Sequence, residues 1–255
     1  MGSALLKGWL DRGVKSIAVV EPKPSAQLRK LAKAKKIALF AAPSAARRKP
    51  SVCVVAIKPQ ILKGEAATLA EFAQGGALMI SIAAGTSIAA LSGAWGRKAR
   101  IIRAMPNTPG AIGQGVTGIY AAKTATAVDR KRAASLLSAL GETIWVSREG
   151  LIDSVTAVSG SGPAYLFLMA EALTEAGIAE GLPRDQAEKF ARATVSGAGA
   201  LLAADKSPAS ALREAVTSPG GTTAAALYVL MAEDGLMPLM KRAVRAARKR
   251  AEELR

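Results

Sequence analysis

The sequence predicts an α/β domain built on a mostly parallel sheet, followed by an all-helical domain, and three observations carry that prediction. Short apolar runs of strand length alternate with helical patterns as far as residue 146. The run at 52–57 is continuously apolar rather than alternating, as in a strand covered on both faces. From Leu151 onward no strand signal remains, and alanine-rich stretches of helical periodicity are broken only at Gly181-Leu182-Pro183 and Ser207-Pro208. The boundary is therefore placed between residues 148 and 149, giving domains 1–148 and 149–255.

In chain order, residues 2–10 carry apolar side chains at helical spacing, with Gly13 as the stop. A strand at 16–20 leads through Glu21-Pro22 into a helix at 25–34, and a second strand covers 37–40. The run at 52–57, expected to be fully buried, ends at Lys58-Pro59. A helix at 60–73, a strand at 77–82, a short helix at 87–91 and a strand at 100–104 follow, the last running into Met105-Pro106-Asn107-Thr108-Pro109. Strands at 115–120 and 142–146 flank a helix at 128–140. Such alternation calls for helices on both faces of the sheet. The final helix, from residue 238, sets Met240, Val244, Ala247, Ala251 and Leu254 on one face, and an intersubunit interface is one destination for that stripe.

Composition removes several classes of function. Half the residues are apolar, so disorder is excluded. With no histidine, Ser-His-Asp and Cys-His catalysis are impossible and the commonest zinc ligand is missing; no metal is expected. The single cysteine, Cys53, lies in an apolar run and reads as buried filler, and one cysteine suits a reducing cytoplasm. The formal charge of +16 is spread over helical stretches such as 28–36 and 241–255, without aromatic stacking platforms, so specific nucleic-acid binding is not expected. The uncharged stretch 72–96 holds five glycines and several hydroxyl residues, which argues against a membrane span. Residues 1–10 lack the pattern of a cleavable signal, and the expected location is the cytoplasm.

The stretch 216–227 joins a helix breaker, two glycines and two hydroxyl residues to an alanine-rich helix. In Ser218-Pro219-Gly220-Gly221-Thr222-Thr223 the glycines permit close approach of a ligand, and a helix start with free N–H groups attracts a small carboxylate. Alone, the hexapeptide reads as a plain helix cap after a turn, and the rest of the chain has to carry the ligand reading. A second group of candidates lies at the strand ends, Glu21-Pro22, 56–60, 83–86 and 105–109, where an open parallel sheet binds its ligands.

Five motifs in order resemble those of the pyrroline-5-carboxylate reductase family: Val55-Ala56-Ile57-Lys58-Pro59-Gln60, Ser81-Ile82-Ala83-Ala84-Gly85, Arg103-Ala104-Met105-Pro106-Asn107-Thr108-Pro109, Ser159-Gly160-Ser161-Gly162-Pro163-Ala164-Tyr165, and Val216-Thr217-Ser218-Pro219-Gly220-Gly221-Thr222-Thr223. The resemblance implies a Rossmann-like domain followed by an all-α dimerisation domain, a homodimer with interlocked helical domains, and rings of five dimers, a decamer. It implies hydride transfer from NADPH or NADH to the imine carbon of 1-pyrroline-5-carboxylate, giving L-proline. Ser218, Gly220, Gly221, Thr222 and Thr223 would hold the substrate, with Ser218 and Thr223 catalytic, the Thr223 hydroxyl reaching the ring nitrogen, and Glu171 ordering a water. Met1, Gly2, Glu21, Lys58, Pro59, Ala83, Ala84, Met105 and Asn107 would bind the cofactor. Glu21 stands where an acid meets the ribose 2′-hydroxyl, which inclines the site to NADH, while Lys23 offsets its repulsion of a 2′-phosphate.

The sequence departs from that family at its start, since Met1-Gly2 are the last two letters of the GxGxMG turn. The first strand and leading glycines are expected upstream of an internal methionine, and a chain without them is expected to be less stable and to aggregate. Two other readings stay open at this point: an imine or β-hydroxyacid reductase of related architecture, and a catalytically impaired oligomerising or polyanion-binding descendant of the family.

Overall fold

The computed structural model describes residues 1–46 and 49–254, which fall into two units: Met1–Gly160 together with the stretch from Arg248, and Ser161–Ala247. The first unit runs α1 (Gly2–Asp11), β1 (Ala18–Val20), α2 (Ala26–Lys33), β2 (Ala38–Phe40), β3 (Val52–Val55), α3 (Pro59–Glu65) and α4 (Ala70–Gln74). It continues with β4 (Leu78–Ser81), α5 (Ile88–Trp95), β5 (Arg100–Met105), β6 (Gly115–Ala121), α6 (Ala127–Leu137), β7 (Gly141–Trp145) and α7 (Leu151–Val155). β1 and β2 pair in parallel as a sheet of their own. The other strands form a five-stranded sheet in the order β3-β4-β5-β6-β7, parallel except between β5 and β6.

Alternate residues of the five-stranded sheet enter two cores. Val55, Met79 and Ile101 pack with Leu62, Phe72, Leu91 and Trp95 on the face covered by α3, α4 and α5. Leu78, Ile80, Ile102, Ala104 and Ile119 pack with Leu5, Ala133, Leu137 and Leu140 on the face covered by α1 and α6. Each fully buried Leu or Ile side chain contributes about 1.5–3 kcal/mol. The indole N–H groups that this packing buries are satisfied: Trp9 donates to the Leu136 carbonyl and Trp95 to that of Ala66, each at 2.8 Å.

Three details differ from the sequence expectations. β3 was expected to be buried throughout, yet Val52, Cys53 and Val54 are half-buried and only Val55 is buried, because β3 is an edge of its sheet. Burial pushes the Cys53 thiol up to about 11, so it stays protonated at neutral pH and is no nucleophile. The single helix expected at 60–73 is split by a 3₁₀ turn (Ala66–Leu69), where the Thr68 hydroxyl donates to the Glu65 carbonyl at 2.7 Å and competes with the helical ladder. The short helix expected at 87–91 continues to Trp95, whose buried indole anchors the extra turn.

In the second unit, α8 (Gly162–Ala179) and α9 (Arg184–Ala204) form a helical hairpin whose turn uses Gly181 at φ +94°. Their close approach needs small residues: a Cβ on Gly177 would stand 3.1 Å from Leu182 Cδ1. α10 (Ala209–Ala215), α11 (Thr222–Leu230) and α12 (Leu236–Glu253) follow, the part of α12 from Arg248 belonging to the first unit. Along α12 the expected stripe is the sheltered side, with Met240, Val244 and Ala247 half-buried and Ala251 buried, while Leu254 beyond its end is exposed. Many large apolar side chains of this unit are exposed, including Leu166, Phe167, Leu168, Phe190, Tyr228 and Val229. Among the described residues no helix is long and apolar enough to cross a membrane.

The start of α6 is fastened by a capping box. Asp129 Oδ2 accepts from the N–H and hydroxyl of Thr126 at 2.9 and 2.8 Å, and the Thr126 hydroxyl accepts from the Asp129 N–H at 3.1 Å. Asp129 Oδ1 accepts from Arg100 Nη1 at 2.7 Å. Burial pushes the Asp129 carboxyl up, but the Thr126 donors and the Arg100 guanidinium outweigh burial and hold it below the ordinary carboxylate value. A carboxyl lowered on folding stabilises the protein above its unfolded value of about 4 and loses that contribution as pH falls through the folded value. Asp129→Asn is therefore expected to cost about 2 kcal/mol at pH 7 in urea unfolding. The gap from the parent should close as the pH is taken below about 4; a gap independent of pH would contradict this account.

Candidate active site

The parallel register of β3, β4 and β5 pairs Val55 with Ser81 and Ser81 with Arg103, so the three following loops leave the same edge of the sheet. After β3, Ala56 lies beside Gly2, where a built Cβ would be 3.2 Å from that of Ala56. The first turn of α1 thus starts next to a strand end, and Met1 at its N-cap provides no side-chain hydrogen bond. Its first N–H groups are therefore uncapped, the arrangement in which a helix start could hold an anion. The Lys58 side chain is exposed, its carbonyl accepts from Ile61 and Leu62 N–H groups at 3.0 and 2.9 Å, and Pro59 occupies the first helical position of α3.

The loop after β4 is built from small residues with little freedom. Ala83 is buried and its N–H donates to Ser81 Oγ at 3.4 Å, while Ala84 is half-buried. Gly85 has φ +66°, and a Cβ there would meet the Leu254 carbonyl oxygen at 2.9 Å, so both backbone and space demand glycine. Thr86 is buried and its Oγ1 has no hydrogen-bond partner among the described residues. Ser87 caps α5 by accepting from the Ala90 N–H at 3.2 Å, and the Ile88 N–H donates to Glu149 Oε1 at 2.7 Å.

After β5, Met105 is half-buried with its methyl against Gly160, where a built Cβ would lie 2.7 Å from Met105 Cε. Gly160 ends a π-helical turn (Thr156–Gly160) between α7 and α8, a local form frequent at functional sites. Asn107 Oδ1 accepts from the Val116 N–H at 2.9 Å, which fixes the side chain and commits its carbonyl oxygen to the start of β6. Glu21, following β1, donates its N–H to the Phe40 carbonyl at 2.9 Å and accepts from the Lys23 N–H on Oε1 at 3.0 Å.

In the second unit, Gly220 adopts φ +70° and the Gly221 N–H donates to the Ser218 carbonyl at 3.0 Å, closing the turn before α11. Gly221 is the N-cap and offers no side chain, so the first N–H groups of α11 around Thr222 and Thr223 are uncapped. Ser218 and Gly220 are exposed, and Gly221 and Thr223 half-buried. Glu171, on α8, is exposed and takes part in none of the ion pairs found among the described residues. An open, mostly apolar groove of about 730 Å³ adjoins this turn, lined by Arg213, Thr217, Ala224, Leu227, Tyr228 and Met231 among others.

Sequence reasoning gave Arg103 and Glu149 no role, yet they form the most sheltered ion pair beside these loops. Arg103 Nη1 lies 2.7 Å from Glu149 Oε1, with side-chain exposures of 2% and 27%. The available signal was the charge itself: in Ile101-Ile102-Arg103-Ala104-Met105 a buried arginine requires an acid, although the pattern does not say which one.

Comparison with known proteins agrees with this geometry. The profile of the family described as pyrroline-5-carboxylate reductase dimerisation matches residues 149–254, and that of NADP oxidoreductase coenzyme F420-dependent matches residues 1–85. Over 255 residues the chain is 37% identical to a pyrroline-5-carboxylate reductase of Pseudomonas aeruginosa, covering 100% of this chain and 93% of the relative. It superposes on a pyrroline-5-carboxylate reductase from Coxiella burnetii with a TM-score of 0.91 at 35% identity, covering 99% of this chain and 94% of the other. The Plasmodium falciparum pyrroline carboxylate reductase with NADP bound gives a TM-score of 0.82 at 26% identity, covering 100% and 94%. With sequence, fold and helical domain all agreeing along the full length, the chain belongs to the pyrroline-5-carboxylate reductase family.

Proposed function

We propose that this protein reduces 1-pyrroline-5-carboxylate to L-proline, the last step of proline biosynthesis, with a reduced nicotinamide dinucleotide as co-substrate. The observation that carries the reading is the full-length relationship to a curated pyrroline-5-carboxylate reductase. The uncapped start of α11 gives it chemical content: an anion site without a side-chain anion of its own, flanked by two hydroxyl residues.

The reaction adds a hydride to the imine carbon and leaves a proton on the ring nitrogen, so the C=N double bond becomes a C–N single bond in a secondary amine. When bound, the reduced nicotinamide supplies the hydride. The protein holds the substrate carboxylate on the uncapped N–H groups at Thr222 and Thr223, with Ser218 beside them and Gly220 and Gly221 making the close backbone approach. Thr223 Oγ1 accepts from the protonated ring nitrogen and keeps the proton there while the neighbouring carbon is reduced. Glu171 orders a water near the ring. None of these roles needs histidine, because the substrate brings the proton and alignment does the rest.

Residues of the first unit fit a dinucleotide. Gly2 leaves a cradle that a side chain would fill, the start of α1 is uncapped, and Thr86 keeps a buried hydroxyl without a partner among the described residues. Met1 and Gly2 are assigned to the pyrophosphate, Glu21 to the adenosine ribose, and Lys58, Pro59, Ala83, Ala84, Met105 and Asn107 to the nicotinamide half. The exposed apolar surface of the helical unit supports a homodimer with interlocked helical domains, assembled into a decamer, and we retain the domain boundary at 148/149.

Purified protein given pyrroline-5-carboxylate with NADH or NADPH should form proline in step with cofactor oxidation; no proline with either cofactor would overturn the reading. Thr223→Ala should lower kcat about 100-fold, with Tm unchanged, and a variant turning over at the parent rate would remove Thr223 from the mechanism. The Glu21 carboxylate repels a 2′-phosphate, so kcat/KM is expected to be higher with NADH. Glu21→Ala should raise kcat/KM for NADPH about tenfold, whereas a cofactor ratio unaffected by this change would show that the choice lies elsewhere.

A further inference from the structure

We propose that Glu149 is a positioning residue that clamps the two nicotinamide-side loops, 82–87 and 105–109, to one another through a single carboxylate oxygen. The proposal rests on the reading above, in which these loops hold the cofactor.

Both loops end or begin at a donor bound to Glu149 Oε1. The Ile88 N–H, at the first residue of α5 and immediately after the loop from β4, donates to that oxygen at 2.7 Å. Arg103 Nη1, two residues before Met105, donates to the same oxygen at 2.7 Å. Two donors on one acceptor cannot drift apart independently, so the loops share one anchor. The anchor is charged on both sides and Arg103 is 2% exposed, which makes it strong and costly to break.

Glu149 comes from neither loop. It lies 61 residues beyond Ile88 and 46 beyond Arg103, just before α7. The segment it begins ends at Gly160, which receives the Met105 methyl. The end of β5 and the start of the loop after it are thus fixed to residues 149–160 at two points, the ion pair of Arg103 and the methyl contact of Met105. Ser81, the cross-strand partner of Arg103, fixes the first residues of the other loop through the Ala83 N–H. Ser81, Arg103, Glu149 and the Ile88 amide therefore form a polar cluster under both loops, at the strand ends of an otherwise apolar face. A displacement of about 1 Å between groups that align a hydride donor and acceptor costs roughly 100-fold in rate, so such a clamp acts on reactivity without touching either reactant.

Glu149→Gln keeps an acceptor for the Ile88 N–H but removes the charge facing Arg103. Glu149→Ala combined with Arg103→Met removes both the clamp and the stranded charge, so the fold is kept. The measurements are amide hydrogen exchange at residues 82–88 in cofactor-free protein, cofactor Kd by NADH and NADPH fluorescence, and separate KM values for cofactor and pyrroline-5-carboxylate. The double variant should exchange faster at 82–88 and bind cofactor about tenfold more weakly, with the KM for pyrroline-5-carboxylate within twofold of the parent; Glu149→Gln should fall between. A residue that only supports the fold would lower Tm and spare cofactor binding. Parent-like exchange and cofactor Kd in both variants would overturn the proposal while the parent remains active, whereas a parent that forms no proline would overturn the functional reading itself.

Discussion

Every residue of β4 is buried, and β5 beside it is buried from Ile101 to Ala104, so the centre of the first unit is a parallel strand pair shut off from water on both faces. That constraint reaches the rest of the unit. Apolar side chains must leave the strands alternately toward two helical layers, and any polar atom carried into those layers must find a partner. The indoles of Trp9 and Trp95 are solved by backbone carbonyls, and Arg100 by Asp129 and the Gly76 carbonyl. At the carboxyl ends, around Ser81 and Arg103, the burial produces a polar cluster beside the loops.

The reversal at β6 leaves the loops after β3, β4 and β5 as one neighbouring group at an edge of the five-stranded sheet. β6 runs antiparallel to β5 and needs glycine to lie close: a Cβ on Gly118 would meet Val155 Cγ1 at 2.6 Å, and one on Gly115 would meet the Gly110 nitrogen at 2.6 Å. Gly141, at φ +129°, lies against the Gly115 carbonyl at the start of β7. Only β3, β4 and β5 therefore open toward the same edge as neighbours, and their loops carry the small residues Ala56, Ala83 and Ala84 and the fixed amide of Asn107. The dry centre that holds the sheet together also makes those strand ends rigid enough to present backbone to a ligand.

What was legible in the sequence is what local pattern controls. The succession of strands and helices along the chain, the change to helices after Leu151, the breaks at Gly181 and Pro208, and the stripe on the last helix are all consequences of periodicity or of glycine and proline. The turn and helix start before α11 were legible because proline and glycine are local signals, but the N-cap falling on Gly221 rather than on a hydroxyl residue was not. Half-burial of Cys53 was not, since an apolar run is the same string at an edge as at the centre of a sheet. Nor was the extension of α5 to Trp95, which depends on the Ala66 carbonyl. Glu149 was read only as part of a boundary segment, because its meaning lies in donors 46 and 61 residues away that no local pattern connects.

α11 brings two requirements of the helical unit together. Its start offers uncapped N–H groups to a carboxylate, and such bonds are strong only where water is kept away. Yet Ser218 and Gly220 are exposed, and further along the same helix Tyr228 is 84% and Val229 68% exposed. With the substrate site proposed above, a monomer would hold its substrate on a wetted turn and leave large apolar side chains uncovered on the same helix. A second copy packed on that surface would remove both faults at once, since the contact that buries Tyr228 and Val229 would also shelter the turn. In that arrangement assembly is a condition for tight carboxylate binding, and dimerisation and substrate recognition are two uses of one helix.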